Sequence, residues 1–528
     1  MTPGRRAERV AEPEDLWSLV EARADATPDT LFAVDSRSRE ISFGEFHRRA
    51  IATAAGLAKL GVGPDTRVSW MLPSRIESLI VTAALSRVGA CQNPILPIYR
   101  ERELEFITRE LRPTLLITPS VWKGFDYAQM AKQVAATHDS MQTLVVDQDL
   151  PTSADTQLPS PNVGPNAAVS DTTEHDPIRW IFYTSGTTAS PKGVMHCDRS
   201  LFAGARGMSL ALDLSPADRV AFVFPITHVG GIQWLQASLA TGCALILIDD
   251  FAHAESIPTL QKHGVTLATA GTVFHEAYLA AQRQSRGGPL FPKIRAFPGG
   301  GAPKPPQLHH DMRREMGGVG ILSGYGSTEA PILSMSRMDD PSEKLATTEG
   351  RPALPDVELR VTRPDRTPAA PGEVGELQAR GPQLFRGYVD PGLNDAAFDE
   401  DGFFRTGDLG YLDEAGFVVI TGRLKDVIIR KGENISAKEV EDLLYEHPKI
   451  AEVAVIGLPD PRTGERCCAV VTCHDPEFAI CFEEMKDFLH EHQLMIQRIP
   501  EQLEIIDSMP RNATGKILKH ELRKRFRR

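Results

Sequence analysis

Apolar residues follow two alternating patterns through residues 13–297. Short continuous apolar runs, typical of buried strands, lie at residues 31–34, 67–71, 91–95, 180–183, 220–224, 243–248, 265–269 and 294–297. Segments with helical spacing of apolar residues lie between many of them and predict helices at 13–24, 46–60, 77–88, 101–111, 231–240 and 272–284. Buried strands that alternate with amphipathic helices predict an α/β fold with doubly wound sheets.

Two predicted helices carry a local start signal. Ser42 and Glu45 have the spacing of a capping box, and Gly61 follows the same helix as a stop signal. Ser436 and Glu439 repeat this spacing at the start of a helix predicted for residues 436–446. We therefore expect both helices to begin next to these serines.

The pattern changes twice along the chain and predicts the domain organisation. Residues 149–177 are rich in Pro, Ser, Thr, Asn and Asp, which predicts a long surface connection. Residues 349–415 form short β-like runs between Gly and Pro turns, which predicts a small β-barrel-like subdomain or a distorted sheet. We predict a large N-terminal domain, 1–421, and a smaller, mobile α+β C-terminal domain, 422–528, joined at GRLKD (422–426).

Composition excludes several classes of protein. The chain has 528 residues, 41% of them hydrophobic and 24% charged, as in ordinary soluble globular proteins with several cores. The formal net charge of -12 argues against a nucleic-acid-binding surface. The N-terminus is polar, and no apolar run approaches the roughly 18–20 residues that a membrane span needs. A reducing cytoplasm is therefore the expected location.

The cysteines do not predict a disulfide frame or a zinc site. The chain has 7 of them, and none lies in a Cys-x2-Cys pair. Cys467, Cys468, Cys473 and His474 lie close together, but their spacing fits no common metal site. We interpret them as strand residues.

A loop rich in hydroxyls follows the predicted strand 180–183. Its sequence is YTSGTTASPKGV, residues 183–194. Backbone N–H groups and hydroxyls of such a loop can surround phosphate oxygens, and Lys192 adds a positive charge. The chain lacks the Gly-x4-Gly-Lys-Ser/Thr pattern of the common nucleotide hydrolases. The alternative interpretation is a surface turn rich in Ser, Thr and Gly.

Further segments with residues suited to ligand binding follow predicted strands or turns. Ligands bind at strand ends in α/β sheets, glycines let a flat ligand approach the backbone, and carboxylates suit a hard cation or a ribose diol. The segments are FPITHVGG (224–231), PGGGAP (298–303), SGYGSTEA (323–330), RTGD (405–408), TGRLKD (421–426), KGENI (431–435) and PRNATGKI (510–517). Alone, each has a structural alternative, such as a flexible loop, a buried structural histidine or a solvated lysine.

Together and in this order, these segments resemble the motifs of the adenylate-forming, or AMP-binding, enzymes. That family includes acyl-CoA synthetases, firefly luciferases and the adenylation domains of peptide synthetases. The resemblance covers nearly the whole chain, from about residue 15 to the end. It implies ATP, Mg²⁺ and CoA as cofactors and a small-molecule carboxylic acid as substrate.

The resemblance implies a role for each matching residue in the nucleotide site. Tyr325 would stack on adenine and Asp408 would hold the ribose. Thr184, Thr328, Glu329 and Lys516 would be catalytic, with Thr328 at the α-phosphate and Glu329 as the magnesium ligand. The remaining nucleotide-binding positions would be Ser185, Gly186, Thr187, Thr188, Lys192, Gly301, Ala302, Pro303, Gly326 and Arg423.

The resemblance also implies an acyl site and a second half-reaction. His228, Gly300 and Gly324 would line the acyl pocket. Lys431 and Gly432 would line the pantetheine tunnel for CoA, and Lys425 would be the hinge about which the C-terminal domain rotates.

The implied function is that of an acyl-CoA synthetase for a medium-chain or alicyclic acid. The Thr187-Thr188-Ala189 triplet resembles that of cyclohexanecarboxylate-CoA ligases. A peptide-synthetase domain is disfavoured, because residues 225–231 lack the Asp that holds a substrate ammonium and no carrier domain follows Lys516. A luciferase-like oxidase, an enzyme that loads a carrier protein and a non-catalytic acyl or nucleotide binder stay open, as does a homo-oligomer.

Ala189 departs from the family pattern, and the C-terminal residues allow two interpretations. The family usually has Gly where this chain has Ala189, and a left-handed backbone there would cost ~1–2 kcal/mol. The C-terminal residues predict an amphipathic helix with Leu518, Leu522 and Phe526 on its apolar face. We interpret its basic face as solvated; binding of CoA phosphates or acidic lipid is the alternative.

Overall fold

The helices and strands follow the predicted alternation. The structure, a computed structural model, describes residues 15–64, 66–155, 158, 176–184, 191–269, 271–285, 287–301, 304–430, 433–512 and 515–527. Its helices are α1 (Leu16–Ala26), α2 (Phe43–Lys59), α3 (Ile76–Arg87), α4 (Glu101–Leu111), α5 (Tyr127–Ala135), α6 (Asp198–Ala211), α7 (Val229–Thr241), α8 (His253–Lys262), α9 (Thr272–Gln284), α10 (Pro306–Glu315), α11 (Ser342–Thr347), α12 (Asn394–Ala397), α13 (Ala437–Tyr445), α14 (Phe482–Glu491) and α15 (Lys519–Phe526).

The strands fall into several separate sheets. In chain order they are β1 (Leu31–Asp35), β2 (Glu40–Ser42), β3 (Arg67–Trp70), β4 (Cys91–Pro94), β5 (Leu115–Thr118), β6 (Val121–Trp122), β7 (Phe125–Asp126), β8 (Gln142–Val145), β9 (Trp180–Thr184), β10 (Lys192–His196), β11 (Arg219–Phe222), β12 (Ala244–Leu247), β13 (Leu267–Thr269), β14 (Phe297–Gly300), β15 (Ile321–Tyr325), β16 (Ser334–Met335), β17 (Arg351–Pro352), β18 (Glu358–Thr362), β19 (Gly375–Arg380), β20 (Phe404–Leu412), β21 (Val418–Arg423), β22 (Ile428–Arg430), β23 (Glu433–Ile435), β24 (Ile450–Asp460), β25 (Gly464–Cys473) and β26 (Gln502–Ile505).

Two mostly parallel sheets share one helical layer. Their strand orders are β13-β11-β12-β1-β2 and β10-β9-β4-β3-β5-β8. One apolar cluster contains side chains from both sheets and from α1, α2, α3, α6 and α7. Because helices cover parallel strands, strands such as β5 and β12 are buried along their whole length, which explains their continuous apolar sequences.

Two smaller sheets follow. β14-β15-β16-β17 begins with a parallel pair and continues antiparallel, and β18-β19-β20-β21 is antiparallel throughout. The second of these occupies the region predicted to be barrel-like. It ends at Arg423, where the 3-10 turn Leu424–Asp426 leads into the C-terminal strands.

The C-terminal unit, here residues 428–527, has its own sheet and core. The long strand β25 pairs with β24 and also with β22 and β26, and β23 pairs with β22. Helices α13 and α14 contribute to one apolar cluster on this sheet, and α15 buries Leu522 and Phe526 in another. The predicted amphipathic terminal helix is therefore present. Cys467, Cys468 and Cys473 lie in β25, as interpreted from the sequence, whereas His474 follows the end of that strand and is not a strand residue.

The predicted capping boxes are only half formed in the described residues. The Ser42 and Ser436 side chains accept from the backbone N–H groups of Glu45 and Glu439, at 3.2 and 3.3 Å. The reciprocal bonds from the glutamates are absent. Glu439 instead accepts from Arg498 at 2.6 Å, because an ion pair with a guanidinium is stronger than a bond to one amide.

The described part of the chain was searched for membrane-spanning helices and for clusters of metal-ligating side chains. No helix there is long and apolar enough to cross a membrane. No group of three or more His, Cys, Asp or Glu side chains there could hold a metal ion without other ligands. Most of the predicted surface connection 149–177 lies outside the described residues.

Candidate active site

The predicted phosphate loop closes a β-hairpin. Strands β9 and β10 pair antiparallel with Thr184 opposite Lys192, so both residues stand where the loop leaves the sheet. The loop residues themselves, Ser185, Gly186, Thr187, Thr188 and Ala189, lie outside the described residues, as do Ala302, Pro303, Lys431 and Gly432.

Two glycine-bearing strand ends lie side by side next to this region. Gly300 at the end of β14 is paired with Gly324 in the parallel strand β15. A Cβ atom at Gly300 would lie 2.6 Å from the Gly324 carbonyl oxygen, and one at Gly324 would lie 2.8 Å from the Met335 sulfur. Gly301 has a φ of +79°, a conformation that favours glycine. The glycines therefore permit this close packing and keep the strand ends free of side chains.

Tyr325, Asp408 and Arg423 form a hydrogen-bonded group. The Tyr325 hydroxyl donates to Asp408 Oδ2 at 2.9 Å, and Arg423 Nε lies 2.8 Å from Asp408 Oδ1. Register explains the second contact, because Asp408 in β20 is directly opposite Arg423 in β21. Burial and the charge of Asp408 hold the pKa of Tyr325 well above its ordinary value, so the phenol stays a donor.

Lys516 belongs to the same electrostatic environment although it comes from the C-terminal unit. Burial, helped by the charge of Arg423 and opposed by that of Asp408, lowers its pKa to about 8. Asn512 fixes the turn before it, accepting from the Lys516 N–H at 2.9 Å and donating to the Lys516 carbonyl at 2.9 Å. Gly515 has a φ of +84°, and a side chain there would overlap Val273 of α9. The charges of Arg423 and Asp408 therefore act on Lys516.

Thr328 and Glu329 are held by residues that the sequence analysis did not single out. Tyr388 donates its hydroxyl to Glu329 Oε1 at 3.0 Å, and Lys192 Nζ lies 5.3 Å from the Tyr388 ring centre. His196 Nε2 donates to the Thr328 carbonyl oxygen at 2.8 Å. Burial lowers the pKa of His196 to about 4, so this ring is neutral at pH 7.

Tyr388 reaches Glu329 because residues 386–389 run beside β10. The backbone N–H of Arg386 donates to the Met195 carbonyl at 2.7 Å, and the backbone N–H of Val389 donates to the Gly193 carbonyl at 2.8 Å. The sequence gives no signal for this long-range pairing. The sequence does give a signal for His196, because a histidine inside an apolar strand needs hydrogen-bond partners.

The described residues around Glu329 fit a hard cation only with help from phosphates. A carboxylate is a suitable oxygen ligand for Mg²⁺, which often binds one or two carboxylates together with phosphate oxygens and water. Since the described residues contain no cluster of metal-ligating side chains, Glu329 fits this type of site rather than an all-protein cage. Bound there, the cation would supply positive charge to the phosphates.

His228 caps a helix and is uncharged. It precedes α7, and its Nδ1 accepts from the Gly230 N–H at 3.2 Å, which leaves the hydrogen on Nε2. Burial lowers its pKa to about 4. The residue therefore suits a neutral pocket wall and not an acid with a pKa near 7.

The structure also describes two further predicted positions, Gly326 and Lys425. Gly326 allows a tight turn, because a Cβ atom there would lie 2.5 Å from the Ile332 nitrogen. Lys425 is an exposed residue of the 3-10 turn Leu424–Asp426. Its charge also lowers the pKa of Lys516.

Two family models match most of the chain. A family model described as AMP-binding enzyme matches residues 20–389, and one described as AMP-binding enzyme C-terminal domain matches residues 439–516. The chain belongs to the AMP-binding enzyme family, in agreement with the resemblance of its motifs.

Similar proteins include acyl-CoA ligases and an aryl-AMP ligase. The chain is 31% identical over 517 residues to the medium-chain fatty-acid–CoA ligase of Escherichia coli (strain K12), covering 97% of this chain and 89% of the relative. It is 32% identical over 521 residues to the salicyl-AMP ligase/salicyl-S-ArCP synthetase of Mycobacterium tuberculosis, covering 94% and 88%.

A solved structure confirms the fold class. The O-succinylbenzoate coenzyme A synthetase of Bacillus subtilis, in complex with ATP and magnesium ion, superposes with a TM-score of 0.80 at 26% identity. The match covers 96% of this chain and 98% of that structure.

Proposed function

We propose that the protein is an ATP-dependent acyl-CoA synthetase. A carboxylate oxygen attacks the α-phosphorus of ATP, the bond to pyrophosphate breaks, and an acyl-adenylate forms. The CoA sulfur then attacks the acyl carbon, its proton leaves to solvent or base, and AMP departs.

The buried hydrogen-bonded group of Tyr325, Asp408 and Arg423, whose charges act on Lys516, is the observation that carries this proposal. A buried carboxylate with two donors suits a ribose diol, because each of its oxygens can accept a further hydrogen bond. A lysine beside it can neutralise charge at the α-phosphate. Adenylate formation needs positioning and charge stabilisation more than proton transfer, and this arrangement provides both.

The phosphates would bind between the hairpin loop and the Thr328–Glu329 turn. Thr184, the loop residues Ser185, Gly186, Thr187 and Thr188, and Lys192 would surround the phosphate oxygens. Glu329 would hold Mg²⁺, with Tyr388 fixing the orientation of the carboxylate. The magnesium-bound and ATP-bound relative supports this assignment.

The second half-reaction would use another face of the C-terminal unit. Lys431 and Gly432 would line the route of the CoA thiol, and Lys425 would be the hinge between the domains 1–421 and 422–528. These assignments come from the motif resemblance alone.

The substrate we propose is a medium-chain or alicyclic carboxylic acid. His228, Gly300 and Gly324 would line its pocket. The neutral state of His228 and the absence of an acid in residues 225–231 disfavour a substrate ammonium. The medium-chain relative supports the choice. We propose a cytoplasmic location.

Pyrophosphate release from a panel of acids tests the proposal. Purified protein is given ATP, magnesium and one acid at a time, with and without CoA. We expect release with a fatty or alicyclic acid, and AMP and acyl-CoA only when CoA is present. Preferential activation of an amino acid, or no release with any acid, would contradict the proposal.

The second candidate is an enzyme that loads a carrier protein, which the similarity to the salicyl-S-ArCP synthetase favours. Such an enzyme would form one equivalent of acyl-adenylate and then stop in the presence of CoA. Steady turnover with CoA distinguishes the two candidates.

A further inference from the structure

One face of helix α13 meets the large N-terminal part of the chain. Lys438, Asp442 and Tyr445 are spaced by four and three residues, so they lie on one side of the helix. The Tyr445 ring packs against apolar clusters on both sides of the contact, one built on α9 and β14 and one in the C-terminal unit.

Tyr445 makes a hydrogen bond across this contact. Its hydroxyl donates to Glu276 Oε1 of α9 at 2.8 Å. Burial raises the pKa of Glu276 to about 7, with Glu452 also raising it and with Tyr445 and Arg511 opposing the shift. Burial and the charge of Glu276 raise the pKa of Tyr445, so the phenol keeps its proton.

The same face also approaches a buried lysine. Lys304 is 6% exposed, and its Nζ donates to the Leu345 and Ala346 carbonyls, each at 2.6 Å. Burial lowers its pKa to about 8, with Asp442 and Lys438 close enough to contribute opposite effects. The charges of Lys438 and Asp442 on this face of α13 therefore act on Lys304.

Direct contacts connect this face to Lys516. Glu441 of α13 accepts from the Val455 N–H of β24 at 2.6 Å. Glu452 of the same strand pairs with Arg511, whose guanidinium also donates to the Gly515 carbonyl. The chain of contacts runs from α13 through β24 to the turn that ends at Lys516. A shift of α13 on α9 would therefore move Lys516.

We propose that Tyr445, through its hydrogen bond to Glu276, is a positioning residue that holds Lys516 at the nucleotide site during adenylate formation. This inference rests on the proposed function, since it assigns the docked arrangement to the first of two half-reactions. The bond has no role in the second half-reaction, for which the C-terminal unit turns away from α9.

The test measures the two half-reactions separately in matched variants. Adenylate formation is followed by ATP–pyrophosphate exchange, and thioester formation by single turnover of supplied acyl-adenylate with CoA. Tyr445→Phe and Glu276→Ala each remove the hydrogen bond, whereas Glu276→Gln keeps an acceptor. Tyr278→Phe is the control: it deletes a buried hydroxyl of α9 that has no hydrogen-bond partner in the described structure.

We expect Tyr445→Phe and Glu276→Ala to slow exchange about tenfold, as for one lost hydrogen bond, and to leave thioester formation unchanged or faster. Glu276→Gln and Tyr278→Phe should behave like the unaltered protein. Equal slowing of both half-reactions, or no slowing, would overturn the inference while leaving the proposed function intact. No exchange by the unaltered protein with any acid would overturn both.

Discussion

Asp408 is 4% exposed, and each of its oxygens contacts a donor. A carboxylate this deeply buried is stable only when such partners compensate for the lost water. Tyr325 and Arg423 provide that compensation, so the site is organised before any ligand binds. Preorganised charge of this kind is what phosphoryl and nucleotidyl transfer require.

Glu329→Gln should raise the magnesium concentration needed for adenylate formation without unfolding the protein. The neutral amide has no charge to attract a hard cation. Tyr388→Phe should have a smaller effect of about tenfold, because it removes only the bond that orients the carboxylate. Magnesium titrations of ATP–pyrophosphate exchange measure both. An unchanged magnesium requirement in Glu329→Gln would contradict the assignment.

Adenylate formation should fall as the pH rises through about 8. The pKa of Lys516 is lowered to about 8, so its positive charge is present below that pH and is lost above it. Lys516→Arg should retain the charge at pH 9, because a guanidinium does not deprotonate in this range.

The pH experiment compares kcat/KM for ATP, which reports the free enzyme. The protein with Lys516 and the Lys516→Arg variant are compared in a Glu276→Gln background. This substitution removes a second titratable group, because the pKa of Glu276 is raised to about 7. The same decline in the lysine and arginine proteins would show that Lys516 is not responsible.

At the scale of elements, the sequence predicts the alternating layers well and the side-chain contacts less completely. Apolar runs such as β12 and helical segments such as α9 lie close to where the pattern places them. Strand pairing between distant segments leaves no such periodic signal. Tyr388 was therefore not predicted. It reaches Glu329 because residues 386–389 pair with β10.

Short-range signals also have limits. Ser436 begins α13 as predicted, but its hydroxyl also donates to the Thr421 carbonyl at 2.6 Å, across the turn Leu424–Asp426. Glu439 pairs with Arg498 instead of completing the capping box. A local pattern cannot include partners that only the tertiary fold supplies. The family resemblance, in contrast, predicted Tyr325, Asp408, Arg423 and Lys516 as one site. The structure joins the first three by direct contacts, and the charges of Arg423 and Asp408 act on Lys516. Their role in nucleotide binding stays a prediction.

Lys425→Pro should uncouple the two half-reactions. A hinge must change its backbone dihedrals, and proline fixes φ near −65° and removes an N–H. We expect one half-reaction to stay near its normal rate and the other to fall at least about tenfold. Lys425→Ala is the matched control, because it removes the side chain and keeps backbone freedom. If the proline variant matches the alanine variant in both half-reactions, Lys425 is not the hinge.

At the scale of the whole molecule, the C-terminal unit carries Lys516, a residue of the proposed site, and makes several contacts with α9. The packing of Gly515 on Val273 and the bond from Tyr445 to Glu276 both involve α9. One helix of the large domain thus receives both the active-site turn and the α13 face. Under the proposed function, we assign this arrangement to adenylate formation.

The most direct measurement compares the two half-reactions in Lys516→Ala. We predict that ATP–pyrophosphate exchange falls by about 10²-fold or more, by analogy with the removal of one oxyanion donor. Conversion of supplied acyl-adenylate and CoA to thioester and AMP should stay close to normal, because Lys516 contributes only to the first step. Equal slowing of both half-reactions, or undiminished exchange, would contradict the account.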